Sequence, residues 1–216
     1  MKHTQLTCAL LLLALPLASQ ATVIIDSTTL GRYNAGLGDL AGLDGPGGFF
    51  LGPNISEGDP TLLPTIPQPA VTYGGAFGAN WLAGNYTGGT WSLGPVAIPS
   101  TWAVNTETAI VYTFGLASSS NLHIDLGVDN GLLVWLNGQY IFGAQAPGGS
   151  SLGEYDIDLS GLAAGTYSLQ ILREDHGGAT GFDISADATA AVPEPLTLSL
   201  FGIGLLSLGL IRRRSA

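Results

Sequence analysis

Leu122-His123-Ile124-Asp125-Leu126-Gly127-Val128 puts an apolar side chain at every second position and sends His123 and Asp125 the other way. Period two marks a strand with one face in a core and one in water. The same alternation runs through Tyr155-Asp156-Ile157-Asp158-Leu159, Tyr167-Ser168-Leu169-Gln170-Ile171 and Phe182-Asp183-Ile184-Ser185. Trp135-Leu136-Asn137-Gly138-Gln139-Tyr140 adds a hairpin signal, because Asn-Gly supplies the two positive φ angles of a type I′ turn. That turn predicts Val134, Leu136, Tyr140 and Phe142 on one shared core face. Strands and turns recurring at roughly ten-residue spacing predict an all-β fold, an antiparallel β-sandwich.

Upstream the pattern weakens. Residues 31–105 are rich in Gly, Pro, Asn and Thr, with scattered apolar residues that sustain no amphipathic helix. Short strands are expected at 23–25, 70–73, 90–93 and 95–98. Residues 44–69 hold Gly45-Pro46-Gly47-Gly48 and five further prolines, which predicts a long surface loop.

The flanks of this body read as targeting segments. Lys2, the nine-residue apolar run 9–17 and Ala18-Ser19-Gln20-Ala21 follow the order of a signal peptide, with cleavage after Ala21 and a mature start at Thr22. Nine helical residues span only about 14 Å, too little for a hydrocarbon layer of roughly 30 Å. Cys8 is the sole cysteine and leaves with the leader, so the expected mature chain has no disulfide, thiolate metal site or thiol nucleophile. Residues 22–192 carry fifteen acidic residues against Arg32 and Arg173, a formal charge of −13. Nucleic acid has almost no electrostatic basis for binding such a surface. Solubility, divalent cations and neutral polymers such as sugars are the readings that fit.

At the other end, Val192-Pro193-Glu194-Pro195 precedes sixteen uncharged residues, 196–211, and then Arg212-Arg213-Arg214. The two prolines keep the segment extended, the apolar run forms a helix of about 24 Å, and the arginines fix its orientation. This tail resembles the PEP-CTERM sorting signal. The resemblance implies a single transmembrane sorting helix that an exosortase recognises at Pro193, Glu194 and Pro195 and removes; the alternative reading is a permanent single-span anchor. The expected organisation is a signal peptide helix in 1–21, a β-sandwich domain in 22–190 and a sorting tail in 191–216. Export, transient inner-membrane anchoring and then a cell-surface or matrix location follow from it, with signal peptidase and exosortase as processing partners.

Gly127-Val128-Asp129-Asn130-Gly131-Leu132-Leu133-Val134-Trp135-Leu136-Asn137-Gly138 and Leu162-Ala163-Ala164-Gly165-Thr166-Tyr167-Ser168-Leu169-Gln170-Ile171 resemble stretches of galactose-binding-like and protective-antigen-type jelly-roll modules. The resemblance covers residues 107–187 and implies a jelly-roll-like sandwich. It also implies Ca²⁺ ligands at Asp129 and Asn130, where those modules carry an acidic pair. Here the second acid is an amide, which lowers the charge. Asp125, with an outward carboxylate on the preceding strand, is a third candidate oxygen ligand. The alternative reading of Asp129-Asn130-Gly131 is a plain turn.

Three further groups invite a function. Arg173-Glu174-Asp175-His176-Gly177-Gly178 gathers a base, two acids and an imidazole at a strand end. It reads as a solvated loop, as a ligand-binding edge through Glu174 and His176, or as an acid/base cluster. No nucleophile elbow or paired-carboxylate motif accompanies it. Core packing is the ordinary fate of tryptophan in a sandwich. Trp81 and Trp91 lie in the irregular half and are the candidates for exposed platforms that stack on sugar rings. The expected function is a non-catalytic module associated with carbohydrate or exopolysaccharide. A matrix protein without a discrete ligand and a glycan hydrolase using Glu174 or Asp175 are the alternatives.

Overall fold

A computed structural model of the chain describes residues 20–40, 61–62, 74–146, 149–175 and 178–191. Residues 1–19 of the signal peptide, 192–216 of the sorting tail, strand 70–73, His176 and all of loop 44–69 except 61–62 lie outside the described residues.

The strands are β1 (Ala21–Ile25), β2 (Arg32–Gly38), β3 (Thr61–Leu62), β4 (Glu107–Leu116), β5 (Ser120–Leu136), β6 (Gln139–Ala146), β7 (Tyr155–Leu162), β8 (Gly165–Glu174) and β9 (Gly181–Ala190). Two short 3₁₀ turns, η1 (Gly75–Phe77) and η2 (Trp81–Ala83), lie before β4. Every strand pairing is antiparallel. The order β1-β9-β5-β8-β4-β2 runs through one curled sheet whose pivot is the 17-residue β5. Residues 120–129 of β5 pair with β9 and residues 120–126 with β7, forming a first arm. Residues 130–136 pair with β6 and 131–136 with β8, forming a second. Where β5 passes between the arms, a Cβ on Gly127 would lie 2.4 Å from Ser150 and Ser151 backbone atoms, so only glycine admits that close approach.

One apolar cluster draws on both arms. It takes Leu122, Ile124, Leu126, Ile157, Ile184 and Ala186 from the first and Ile110, Tyr112, Val134, Leu169 and Ile171 from the second. The alternation of the first arm therefore points as the sequence predicts, with His123 and Asp125 outward. The second arm is apolar on its other face as well. Ala109, Val111, Leu133, Trp135 and Leu172 point there and are covered by Leu37, Leu40, Phe77, Trp81 and Trp91. Covering both faces is why Leu132-Leu133-Val134-Trp135-Leu136 is a continuous apolar run and not an alternating one.

The hairpin forms, with φ of 50° at Asn137 and 78° at Gly138. The Gly138 N–H donates to Gln170 Oε1 at 2.7 Å, and Asn137 Oδ1 accepts from the Ser168 N–H at 2.8 Å. The shared core face needs correction at Tyr140. Register shifts between Val134 and Trp135, so Phe142 opposes Val134 while Tyr140 opposes Trp135. That irregularity turns Tyr140 to the outer face, where its ring lies 5.8 Å from that of Trp135.

Three other expectations change. Strand 23–25 is part of β1, but 90–93 and 95–98 reduce to single bridges, Trp91 with Asn34 and Val96 with Gly31. Pro95 and Pro99 lack the N–H that would extend a ladder. Asp129-Asn130-Gly131 is no turn: all three lie within β5, and the Asp129–Asn130 peptide bond is cis. Residues Ala21–Ala190 form one compact unit. No helix among the described residues is long and apolar enough to cross a membrane.

Candidate functional site

A shallow cleft of about 450 Å³ lies beside the edge strand β2. Arg32 of β2 and the 83–87 and 91–93 segments line it. Local hydrogen bonds set its shape. Asn80 Oδ1 accepts the Ala83 N–H at 3.2 Å, capping η2, and Gly84 ends that turn in the left-handed region. Asn85 Oδ1 then accepts from the Thr87 N–H at 3.1 Å and its hydroxyl at 2.7 Å, an Asx turn that presents Tyr86. The Trp91 indole N–H is fixed on the Phe77 carbonyl at 2.7 Å.

The result is an aromatic wall with a cation on it. Tyr86 and Trp91 meet edge to face at 5.2 Å, and the Arg32 guanidinium lies 4.8 Å from the centre of the Tyr86 ring. Arg32 also donates to the Ser92 carbonyl at 3.0 Å. Burial pushes the Tyr86 phenol above its ordinary value, with Arg32 opposing, so the hydroxyl stays protonated at neutral pH. Among the described residues no carboxylate lines the cleft, although the chain is strongly acidic. Neutral hydroxyls and amides with one cation and an aromatic edge can hold a polar, uncharged or anionic ligand.

The two tryptophan candidates divide. Trp91, 9% exposed, contributes to the cleft wall. Trp81 is no exposed platform: it is fully buried, with ring centres 5.8 Å from Phe77 and 5.5 Å from both Trp91 and Trp135. The outer apolar face of the second arm needs a cover, and the largest side chain of η2 supplies it. No local sequence pattern brings Tyr86 and Arg32 together, because their meeting depends on β2, which lacks clear alternation.

The Arg173-Glu174-Asp175 segment is not a solvated loop. Arg173 and Glu174 end β8, and all three side chains are fully buried. A buried carboxylate cannot reach a polymer outside, so Glu174 and Asp175 do not form an open acid/base pair. Asp175 accepts the Asn105 N–H.

The Ca²⁺ candidates also separate. Asp125 and Asp129 stand four residues apart on an unbroken β5–β9 ladder, about 13 Å at ~3.3 Å per residue. They cannot share one ion. Asp129 and Asn130 are buried where β5 changes arms. Asp125 lies instead among His123, Asp156 and Asp158 on the outer face of the first arm. His123 Nδ1 is 2.8 Å from Asp158 Oδ1, and its Nε2 is 3.3 Å from Asp125 Oδ1. The hydrogen bond to Asp158 raises the imidazole pKa above its usual value, while hydrogen bonding with Asp125 raises that of Asp156.

The sequence matches no protein-family model and no curated protein. Among solved structures it is similar to the PA14 domain of the MpAFP antifreeze protein, with 13% identity, 81% of this chain and 68% of that one covered, and a TM-score of 0.28. It is also similar to a GH31 α-xylosidase from Xanthomonas citri, with 5% identity over 44% of this chain and a TM-score of 0.28; the chain spans 12% of that enzyme's length.

Proposed function

We propose that the chain is an exported, non-catalytic, jelly-roll-like β-sandwich that associates with carbohydrate polymer at the cell surface or in the extracellular matrix. The cleft of Arg32, Tyr86 and Trp91 carries this reading. A sugar ring has an apolar C–H face and a rim of hydroxyls. An aromatic wall flanked by a guanidinium, amides and hydroxyls complements both. The enclosure of Glu174 and Asp175 supports a binding role over hydrolysis.

Export rests on the leader and on the tail with Pro193-Glu194-Pro195 and Arg212-Arg213-Arg214. The strand register supports processing at both ends. Cleavage after Ala21 keeps the pairs from Thr22↔Ala188 onward, and the tail follows the end of β9 at Ala190.

Titration with neutral and acidic oligosaccharides, read by tryptophan fluorescence, tests the reading. Tyr86→Ala should weaken binding by roughly tenfold or more, equivalent to ~1.4 kcal/mol of lost contact. Absence of binding to every glycan tried, or full affinity in Tyr86→Ala, would overturn the proposal and favour a matrix protein without a discrete ligand.

A further inference from the structure

On the outer face of the first arm, β5 and β7 set His123 opposite Asp158 and Asp125 opposite Asp156. Two ionised carboxylates directly opposed on neighbouring strands repel each other, and either a shared proton or a bound cation relieves that repulsion. The ligand atoms of His123, Asp125 and Asp156 all lie within 4.8 Å of one another. The imidazole makes this more than an acidic patch, because its two nitrogens have different tasks. Nδ1 is held by Asp158, which leaves Nε2 facing Asp125. A carboxylate on the far nitrogen is the arrangement that fixes the tautomer of a metal-binding histidine.

We propose that His123, Asp125 and Asp156 bind a divalent transition-metal ion of the zinc type, with Asp158 orienting the imidazole. A tetrahedral ion with bonds of about 2.1 Å sets its ligand atoms about 3.4 Å apart. The 3.3 Å between His123 Nε2 and Asp125 Oδ1 matches that edge. Asp156, exposed on β7, closes the third position by side-chain rotation, and water supplies the fourth. An imidazole nitrogen selects against Ca²⁺, which takes oxygen ligands. The site is distinct from the Arg32 cleft; a depression of about 400 Å³ beside it is lined by Asn121, His123, Asp158, Ser160 and Thr189, on the Asp158 side of the imidazole.

Calorimetric titration of the purified full-length chain with ZnCl₂ tests this. One ion should bind, and His123→Ala or Asp156→Asn should weaken it at least about a hundredfold. Asp158→Asn should weaken it by about ten- to hundredfold, as loss of an orienting partner does. His176→Ala should leave it unchanged, and Ca²⁺ in millimolar excess should not compete. Melting curves without metal report whether each variant is folded; should His123→Ala fail to fold, Asp156→Asn decides. Zinc binding that is absent, survives both ligand substitutions, disappears with His176→Ala, or yields to Ca²⁺ would overturn the assignment.

Discussion

The Arg173 guanidinium lies 4.3 Å from the centre of the Trp102 ring, fully buried in a strongly acidic chain. Its other contacts among the described residues are also neutral. It donates to Thr108 Oγ1 and the Pro99 carbonyl at 2.9 Å and to the Tyr33 hydroxyl at 3.3 Å, and the Phe182 ring centre lies 4.8 Å away. Among the described residues it forms no ion pair. Burial pushes its pKa down to about 10, so it remains charged at neutral pH. Hydrogen bonds and ring faces compensate its desolvation and tie the start of β4 to β2, β9 and the 99–102 segment.

Replacing that planar fork by a point charge should therefore be costly. Arg173→Lys keeps the charge but cannot serve Thr108, Pro99 and Tyr33 together. The expected loss is on the order of 2 kcal/mol, read from the urea midpoint. An unchanged midpoint would show that the three bonds contribute nothing net.

Glu107 gives the fold a dependence on pH. Its side chain is buried, with Oε2 accepting the Leu40 N–H and Oε1 without a hydrogen-bond partner among the described residues. Burial pushes its carboxyl up to about 8 from the ordinary 4.5, against the Leu40 N–H and with a further push from Asp39 and Asp175. Between those values the folded chain holds a proton that the unfolded chain has released. This group's contribution is thus fully present below about 4.5 and lost as pH rises through about 8. Glu107→Gln removes the titration. Its stability relative to wild type should improve by on the order of 2 kcal/mol between pH 5 and pH 8, measured by urea unfolding at each. A difference independent of pH would mean that Glu107 titrates normally.

Trp81 separates a structural role from a ligand-stacking one. Buried among Phe77, Trp91 and Trp135, it covers the outer face of the second arm. Trp81→Ala should cost about 3–5 kcal/mol, whereas a surface platform would lose almost none. Trp81→Phe should recover much of that loss, because among the described residues the Trp81 Nε1 has no hydrogen-bond partner to forfeit. Urea midpoints of the two variants check both values.

The strands of the first arm, from Leu122 to Val128 and in β7 and β9, were legible because one of their faces is wet, so the chain had to alternate. Asp129 and Asn130 were not, since an Asp-Asn-Gly string has the same letters in a turn as at a crossing between arms. The difference lies in partners on β6, β8 and β9 that are far away in sequence. Glu174 and Asp175 misled for the same reason: charge suggests solvent, and only the packed ends of β4 and β8 show their enclosure. The His123–Asp158 pair was visible as two outward residues. Its meeting required the β5–β7 register, which no local pattern specifies.

The hairpin offers the sharpest test of the second arm. Gly138 has φ of 78°, and a Cβ there would lie 2.8 Å from the Leu82 carbonyl oxygen, so a side chain meets both backbone strain and a rigid neighbour. The left-handed conformation alone costs an L-residue roughly 1–2 kcal/mol. The clash adds to that, because Leu82 is held in place by the Gln170 amide, which donates to its carbonyl at 2.9 Å while accepting the Gly138 N–H. Gly138→Val should therefore lower stability by about 2 kcal/mol or more. Gly115, in β4, is exposed with open space around its Cβ position, and valine suits a strand. Gly115→Val should be near neutral. Equal urea midpoints for the two variants would contradict the type I′ turn and, with it, the pairing of β5 with β6 that carries Trp135 against Tyr140.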